Sequence, residues 1–138
     1  MIVPPQLVAG GNINPARFII QDTTANNTAL QAGANGKTIG VSQDGPKDPP
    51  GTGGSSLAAA AGEMFSHFTL GQICRMEAGD AITAGDELES DTNGKAVPVA
   101  ATAATVRYVG AIALEAAGGA GEFLQVLVCR YTKTNPAS

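Results

Sequence analysis

Residues 105–132, TVRYVGAIALEAAGGAGEFLQVLVCRYT, decide the fold of this chain. Residues 105–114 and 122–132 are rich in β-branched, aliphatic and aromatic side chains, which favour strands. The sequence GGAG at residues 118–121 separates the two runs and supplies the glycines that a tight turn requires. The pattern predicts an antiparallel hairpin of two long strands.

Shorter runs of the same kind precede this hairpin and alternate with glycine-containing turns. We predict further strands at residues 16–21, 28–31, 37–42, 64–70, 72–77, 88–90 and 95–99. The sequence DTNG at residues 91–94 predicts a hairpin turn, and Asn35-Gly36 predicts another between residues 28–31 and 37–42, because both residues tolerate positive φ. Short strands at this spacing indicate an all-β fold, a small barrel or sandwich, with at most one short helix at residues 57–62.

The length of 138 residues predicts one domain. Residues 1–15 contain three prolines and form a predicted extended arm without the charged segment of a signal peptide. Residues 16–132 form the predicted β domain, which carries a Gly/Pro-rich loop, DGPKDPPGTGGSS, at residues 44–56. Residues 133–138 form a predicted C-terminal tail.

The composition predicts a thin hydrophobic core. Apolar residues make up 43% of the chain, but 24 of them are alanine. Glycine, which has no side chain to bury, supplies another 18 residues. Charged residues make up only 14%, against roughly 25% in ordinary soluble domains, which argues against a disordered chain. Because a thin core leaves little stabilising burial within one chain, the composition favours self-association.

The charge distribution argues against nucleic acid as a partner. The net charge is −4, and the eight Lys and Arg residues are scattered singly, whereas phosphate binding needs clustered cations. Six of the twelve acidic residues fall within residues 77–91, which contain no basic residue. The longest uncharged apolar run, residues 96–106, contains Pro98 and is shorter than the ~20 residues of a membrane span, so no membrane segment is predicted.

The single histidine, His67, follows Ser66 and raises the question of a hydrolase. Adjacent residues of a strand point to opposite faces, so Ser66 and His67 cannot pair directly within a strand. The chain also lacks the Gly-x-Ser-x-Gly sequence of a nucleophile elbow. We therefore predict no catalytic residue and interpret His67 as a packed or interface side chain.

Two glycine-containing segments resemble nucleotide-binding loops incompletely. Residues 33–38, GANGKT, lack the glycine that a phosphate-binding loop carries five residues before its Gly-Lys pair. Residues 51–56, GTGGSS, have Ser56 where a dinucleotide-binding loop has its third glycine. We interpret the first segment as a turn and the second as part of a loop, and predict no cofactor.

One segment copies half of a calcium-binding loop. Glu89, Asp91 and Asn93 precede Gly94 at the appropriate spacing, but Ala100 occupies the position where the loop needs a carboxylate. An exposed acidic hairpin explains these residues, so no metal site is predicted.

Cys74 and Cys129 each lie within an apolar run, which is typical of buried free thiols in a reducing compartment. A disulfide between them remains an alternative that depends on geometry. One histidine and two separated cysteines do not supply four zinc ligands within one chain.

The order of turns and strands resembles that of the small capsid cement, or head decoration, proteins of tailed bacteriophages. Residues 73–128 contain an Ala-Gly-Asp turn, an ITAGD turn, a hairpin of the form D-x-x-G-K-A-x-P, a VGAIALE strand, a glycine-rich turn and a final QVLV strand. Residues 18–45, with QDTT and IGVSQDG, are also similar to the opening strands of that family.

The resemblance implies a small β-barrel or β-tulip-like domain with a structural role. It implies a protein made in the host cytoplasm that binds the outer surface of the virion capsid as a homotrimer. There it would bridge neighbouring major capsid protein subunits and stabilise the shell against the pressure of packaged DNA. The alternative is a carbohydrate-binding or adhesion β module, although Trp is absent and aromatic residues make up only 4% of the chain.

Overall fold

A computed structural model of the chain describes residues 7–43, 45–46, 56–100 and 105–134. These residues form eleven strands in two sheets and no helix, which confirms the predicted all-β class. The two sheets do not close into a barrel. Within residues 57–62, where a helical turn was predicted, Ala59 instead forms a β-bridge with Ile13. Accordingly, the described residues contain no helix that could cross a membrane.

The first sheet has six strands from the N-terminal half of the chain. They are β1 Leu7–Ala9, β2 Phe18–Gln21, β3 Thr28–Gln31, β4 Thr38–Ser42, β5 Met64–Phe65 and β6 His67–Phe68. Their order is β5-β1-β3-β2-β4-β6, and only the β1–β3 pair is parallel.

Ser66 links the two edge strands of this sheet. Strands β5 and β6 lie at opposite edges, yet this single residue separates them. The sheet therefore curls so strongly that its edges approach each other, although β5 and β6 do not pair. The Gln43 amide donates a hydrogen bond to the Ser66 carbonyl over 3.0 Å and fixes the junction.

The second sheet has five antiparallel strands. They are β7 Ile73–Glu77, β8 Glu87–Ser90, β9 Ala96–Pro98, β10 Val106–Ala113 and β11 Phe123–Thr134, in the order β7-β11-β10-β8-β9. The predicted hairpins β8–β9 and β10–β11 are both confirmed. Gly94 and Gly121 adopt φ of 77° and 90° at their turns, a conformation that favours glycine.

The hairpin predicted at Asn35-Gly36 is wrong, although the turn exists. Asn35 has the positive φ, 52°, that the pattern predicted. However, β3 and β4 are not neighbours, because β2 lies between them and pairs antiparallel with both. Turn chemistry specifies the local backbone, whereas the identity of the paired strand depends on burial of Phe18 and Ile19 in the centre of the sheet.

The described part of the predicted arm, residues 1–15, contributes strand β1 to the six-stranded sheet. Strand β1 lies in the interior of the six-stranded sheet, between β3 and β5. At the other terminus, the predicted tail begins at Lys133, which still pairs with Arg107 of β10. The division into arm, domain and tail stays a prediction. The pairing of β1 with β3 and β5 crosses the predicted boundary between arm and domain, and the pairing of Lys133 with Arg107 crosses the boundary between domain and tail.

The core consists of two clusters on opposite faces of the six-stranded sheet. The larger cluster lies between the sheets, where Phe18 and Val41 pack with Met76, Leu124 and Val126 of the second sheet. The smaller cluster lies inside the curl of the first sheet and contains Ile13, Ile19 and Phe65 together with four alanines, Ala9, Ala29, Ala58 and Ala59. Since Phe18 and Ile19 are adjacent and fully buried, β2 is covered on both faces.

An ion-pair network ties the two sheets together beside the core. The Glu77 carboxylate at the end of β7 forms ion pairs with the Arg17 guanidinium over 3.2 Å and with the Lys95 ammonium over 2.9 Å. Arg17 also donates to the Asn93 carbonyl over 2.9 Å. Burial acts to raise the pKa of Glu77, but the two cations outweigh it and hold that pKa below its ordinary value.

Candidate interaction surface

Ser66 and His67 do not form a catalytic pair. His67 pairs with Ser42 of β4, and its ring lies 6.2 Å from the ring of Phe65. Burial lowers the pKa of the half-buried imidazole. Among the described residues, no hydrogen bond joins the imidazole to a carboxylate or hydroxyl. The geometry is that of a packed histidine.

The carboxylates of the calcium-like segment point to separate protein partners. Asp91 accepts hydrogen bonds from the backbone amides of Asn93 and Lys95 over 2.8 and 2.9 Å, which closes the β8–β9 turn. Glu89 is buried and binds the Arg107 guanidinium through both carboxylate oxygens. Within the described ranges, no group of three or more His, Cys, Asp or Glu side chains is placed to hold a metal ion.

The GANGKT segment joins the two sheets. The Asn35 side-chain amide donates to the Val106 carbonyl over 2.9 Å and accepts from the Tyr108 amide over 3.0 Å. The Asn35 side chain thereby forms the hydrogen bonds to the β10 backbone that a neighbouring strand would form. This role is unrelated to phosphate binding. The GTGGSS segment lies outside the described residues except for Ser56.

Cys74 and Cys129 are not joined by a disulfide. Cys74 is buried in the core, opposite Val126, whereas Cys129 is half-buried. Burial raises the pKa of Cys129, and the negative charge of Glu87 raises it further. The thiolate, which is the reactive form, is therefore disfavoured at Cys129.

An apolar surface covers the outer side of the five-stranded sheet. We define this apolar face by Leu70, Ile73, Ile112, Phe123 and Leu127. Ile73 pairs with Leu127, which in turn pairs with Ile112, so their side chains form one row across three strands. The alternate residues Cys74 and Val126 are buried in the core, so this row faces outward.

The ends of the apolar face are the most exposed. Relative exposures are 58% for Ile73, 57% for Leu70 and 45% for Phe123. The Arg75 guanidinium lies 5.1 Å from the centre of the Phe123 ring and covers part of it with a cation that remains accessible. Adjacent exposed apolar side chains of this kind mark protein–protein interaction surfaces.

The sequence carried a signal for this face that strand prediction alone did not use. In AIAL and VLVC, at residues 111–114 and 126–129, consecutive residues are apolar, whereas a strand with one solvated face alternates apolar and polar residues. Such a run indicates a strand with apolar side chains on both faces. The inter-sheet core covers only the inward side chains of these two strands.

Two packed sheets with an outward apolar face define an all-β interaction module. A family model described as phage cement protein matches residues 13–130. The chain belongs to the phage cement protein family. This is a family of structural phage proteins, and the chain accordingly has a structural role in association with the phage capsid.

The fold is also similar to a solved structure, the head fiber gp8.5 N base in bacteriophage phi29. The two chains share 19% sequence identity and superpose with a TM-score of 0.66 over 94% of this chain and 95% of the other. At this identity the likeness concerns the fold. A comparison with curated protein sequences found no match.

Proposed function

We propose that the protein is a capsid cement that binds the outer surface of the phage head and bridges neighbouring major capsid protein subunits. Its contribution is mechanical, because contacts that span two subunits resist their separation by the pressure of packaged DNA. The apolar face, with Ile73 at 58% exposure, is the observation that supports this function.

The apolar face suits a contact made in many copies. Apolar side chains and a low density of charge limit the cost of removing water from two approaching surfaces. Arg75 at the border of the face supplies a polar contact at its rim. In this proposal the face contacts the capsid, while the six-stranded sheet lies on the opposite side of the inter-sheet core.

We further propose that the protein acts as a homotrimer without a catalytic role. The core supports self-association, since four of the seven buried members of the smaller cluster are alanines. A sugar-binding module would present aromatic rings for stacking. Here Phe123 is partly covered by Arg75, and the hydroxyl of Tyr131 is bound to Glu87, which favours the structural role.

Cosedimentation with phage heads that lack this protein tests the proposal. Wild-type protein is expected to saturate the heads and to raise the temperature at which they release DNA. The variant Leu70→Lys/Ile73→Lys places two charges on the apolar face and is expected to weaken binding at least tenfold.

The matched control is Ala25→Lys/Ala61→Lys, which adds the same charge at exposed loop positions remote from the apolar face. This control should bind as the wild type does. If wild-type protein fails to bind the heads, or if the two double variants bind equally, the proposal is wrong. A glycan-binding screen of the wild type distinguishes the adhesion alternative.

A further inference from the structure

A groove with an apolar floor and two cations lies where the two sheets meet. Its volume is about 390 Å³, and the half-buried side chains of Ile20 and Ile39 line its interior. Lys37 from the turn before β4 and Arg130 from β11 also line it. A second cavity of about 460 Å³, lined in part by Tyr108 of β10, also borders Arg130.

The two cations of the groove lack an acidic partner within the described part of the chain. The Lys37 ammonium lies 5.7 Å from the centre of the Tyr108 ring, and neither Lys37 nor Arg130 forms an ion pair there. Glu87, the carboxylate bound to the neighbouring Tyr131 hydroxyl, is already paired with Lys133 over 2.6 Å. The groove therefore presents unneutralised positive charge on a chain whose net charge is −4.

The opposite end of the five-stranded sheet is acidic. The segments 78–86 and 114–122 lie together there, joined by the bridge between Ile82 and Ala117. They contain no Lys, Arg or His and carry four acidic residues, Asp80, Asp86, Glu115 and Glu122. None of the four forms an ion pair among the described residues. The nearby Lys95 is paired with Glu77, and Arg75 lies on the ring of Phe123.

This acidic end also offers an apolar side chain suited to the groove. Leu114 is 44% exposed and precedes Glu115, whose carboxylate accepts one backbone hydrogen bond, from Gln125. The Leu114 side chain could pack on Ile20 and Ile39 of the groove, while the Glu115 carboxylate could pair with Lys37 or Arg130. The Leu114 backbone amide donates to the Gln125 carbonyl, so this corner lies beside Gln125. Along β11, the five steps from Gln125 to Arg130 span about 17 Å at ~3.3 Å per residue, so the corner cannot reach its own groove.

We propose that the groove binds the Leu114–Glu115 corner of a second copy of this chain. The contact joins two different surfaces, so it is heterologous, and repeated contacts of this type close into a ring when the rotation between copies permits. The inference rests on the proposed self-association and specifies which surfaces meet.

Self-association measured by sedimentation velocity tests the contact. Arg130→Glu is expected to weaken the association of the full chain at least tenfold, and Glu115→Lys is expected to do the same. An equimolar mixture of these two variants should associate more strongly than either alone, because both kinds of contact between unlike variants then pair opposite charges. The matched control, Ser56→Glu/Ala61→Glu, changes the net charge by the same amount at exposed positions that line neither the groove nor the apolar face, and it should associate as the wild type does.

Two outcomes would overturn the inference. One is unchanged association of Arg130→Glu and Glu115→Lys, and the other is failure of the mixture to recover association. Head binding by the same variants separates this inference from the proposed function. A wild-type protein that binds heads but stays monomeric both in solution and after release refutes the ring contact and the proposed homotrimer, and leaves the proposed capsid binding standing. If Arg130→Glu loses head binding but keeps its self-association, the groove serves another virion protein, and the inference is wrong.

Discussion

Gly110 lies directly against the ring of Phe18 at the centre of the contact between the two sheets. A Cβ atom at Gly110 would lie 2.6 Å from Cε1 of Phe18 and 2.5 Å from Oγ1 of Thr38. Gly110 also lies at the irregularity in the β10–β11 pairing, between Val109 and Ala111. The absence of a side chain at this position therefore sets how closely the sheets pack.

Gly110→Ala should destabilise the fold because the added methyl group overlaps the buried Phe18 ring and Thr38. Overpacking of a buried site typically costs about 1–3 kcal/mol, and we expect a loss in that range. Urea unfolding of the variant and the wild type measures it. The control Gly119→Ala adds a methyl group with no atom within 4 Å and should change stability little. Equal stability of the two variants would contradict the predicted overlap.

Val8→Pro should destabilise the fold although it lies within the predicted N-terminal arm. The Val8 amide donates to the Asn27 carbonyl over 3.0 Å, and Val8 pairs with Thr28 on one side and Met64 on the other. Proline removes that hydrogen bond, worth about 0.5–1.5 kcal/mol, and its ring disturbs an interior strand. Val8→Thr keeps the backbone donor and should unfold near the wild-type midpoint. A proline variant as stable as the threonine variant would show that β1 contributes little.

Arg107→Met should cost about 3 kcal/mol because it leaves the buried Glu89 carboxylate without its cation. Glu89 is only 3% exposed, so water cannot replace the lost partner. The double variant Glu89→Leu/Arg107→Met removes both charges and should recover most of the loss. Chemical denaturation of the single and double variants provides the measurement. A double variant no more stable than Arg107→Met would mean that packing of the two side chains, rather than their charges, stabilises this region.

The Glu77 network should make stability fall in acid. Lys95 and Arg17 hold the pKa of Glu77 below its ordinary value of 4.5. A carboxylate with a lowered folded-state pKa stabilises the fold fully above that ordinary value, and the contribution is lost as the pH falls through the folded-state pKa. The advantage of the wild type over Glu77→Gln should therefore be largest near neutral pH and shrink below pH 4.5.

Denaturant midpoints at several pH values between 7 and 3 measure this advantage. The matched control, Glu122→Gln, removes an exposed carboxylate that forms no ion pair among the described residues. If the difference between wild type and Glu77→Gln is the same at pH 7 and pH 3, the network does not act through the ionised carboxylate.

Local chemistry made most strands predictable from the sequence, because β-branched runs and glycine turns act within a few residues. The turn at residues 91–94 illustrates this, since Asp91 caps its own hairpin. Pairings between distant segments were not predictable. Nothing local to Leu7–Ala9 indicates that it pairs with β3 and β5, because that placement depends on burial of Ala9 inside the curled sheet.

The candidate surface was only partly predictable for the same reason. The consecutive apolar residues of β10 and β11 indicate two covered faces, but the alignment of Ile73, Leu127 and Ile112 depends on the register of three strands. The groove could not be predicted from the sequence, because Lys37 and Arg130 are 93 positions apart. Their proximity follows from the packing of the two sheets.

The junction at Ser66 has a consequence for how the protein behaves when it is crowded. An exposed strand edge is a template on which another chain can add a strand, and long exposed edges promote aggregation. In the first sheet, both edges are two-residue strands on either side of Ser66, so each offers little backbone for such growth. In the second sheet, the edge strand β9 ends in Pro98, which has no amide hydrogen to donate. At these three edges, copies of the chain that lie side by side can therefore meet through their side chains without adding strands to a continuous sheet.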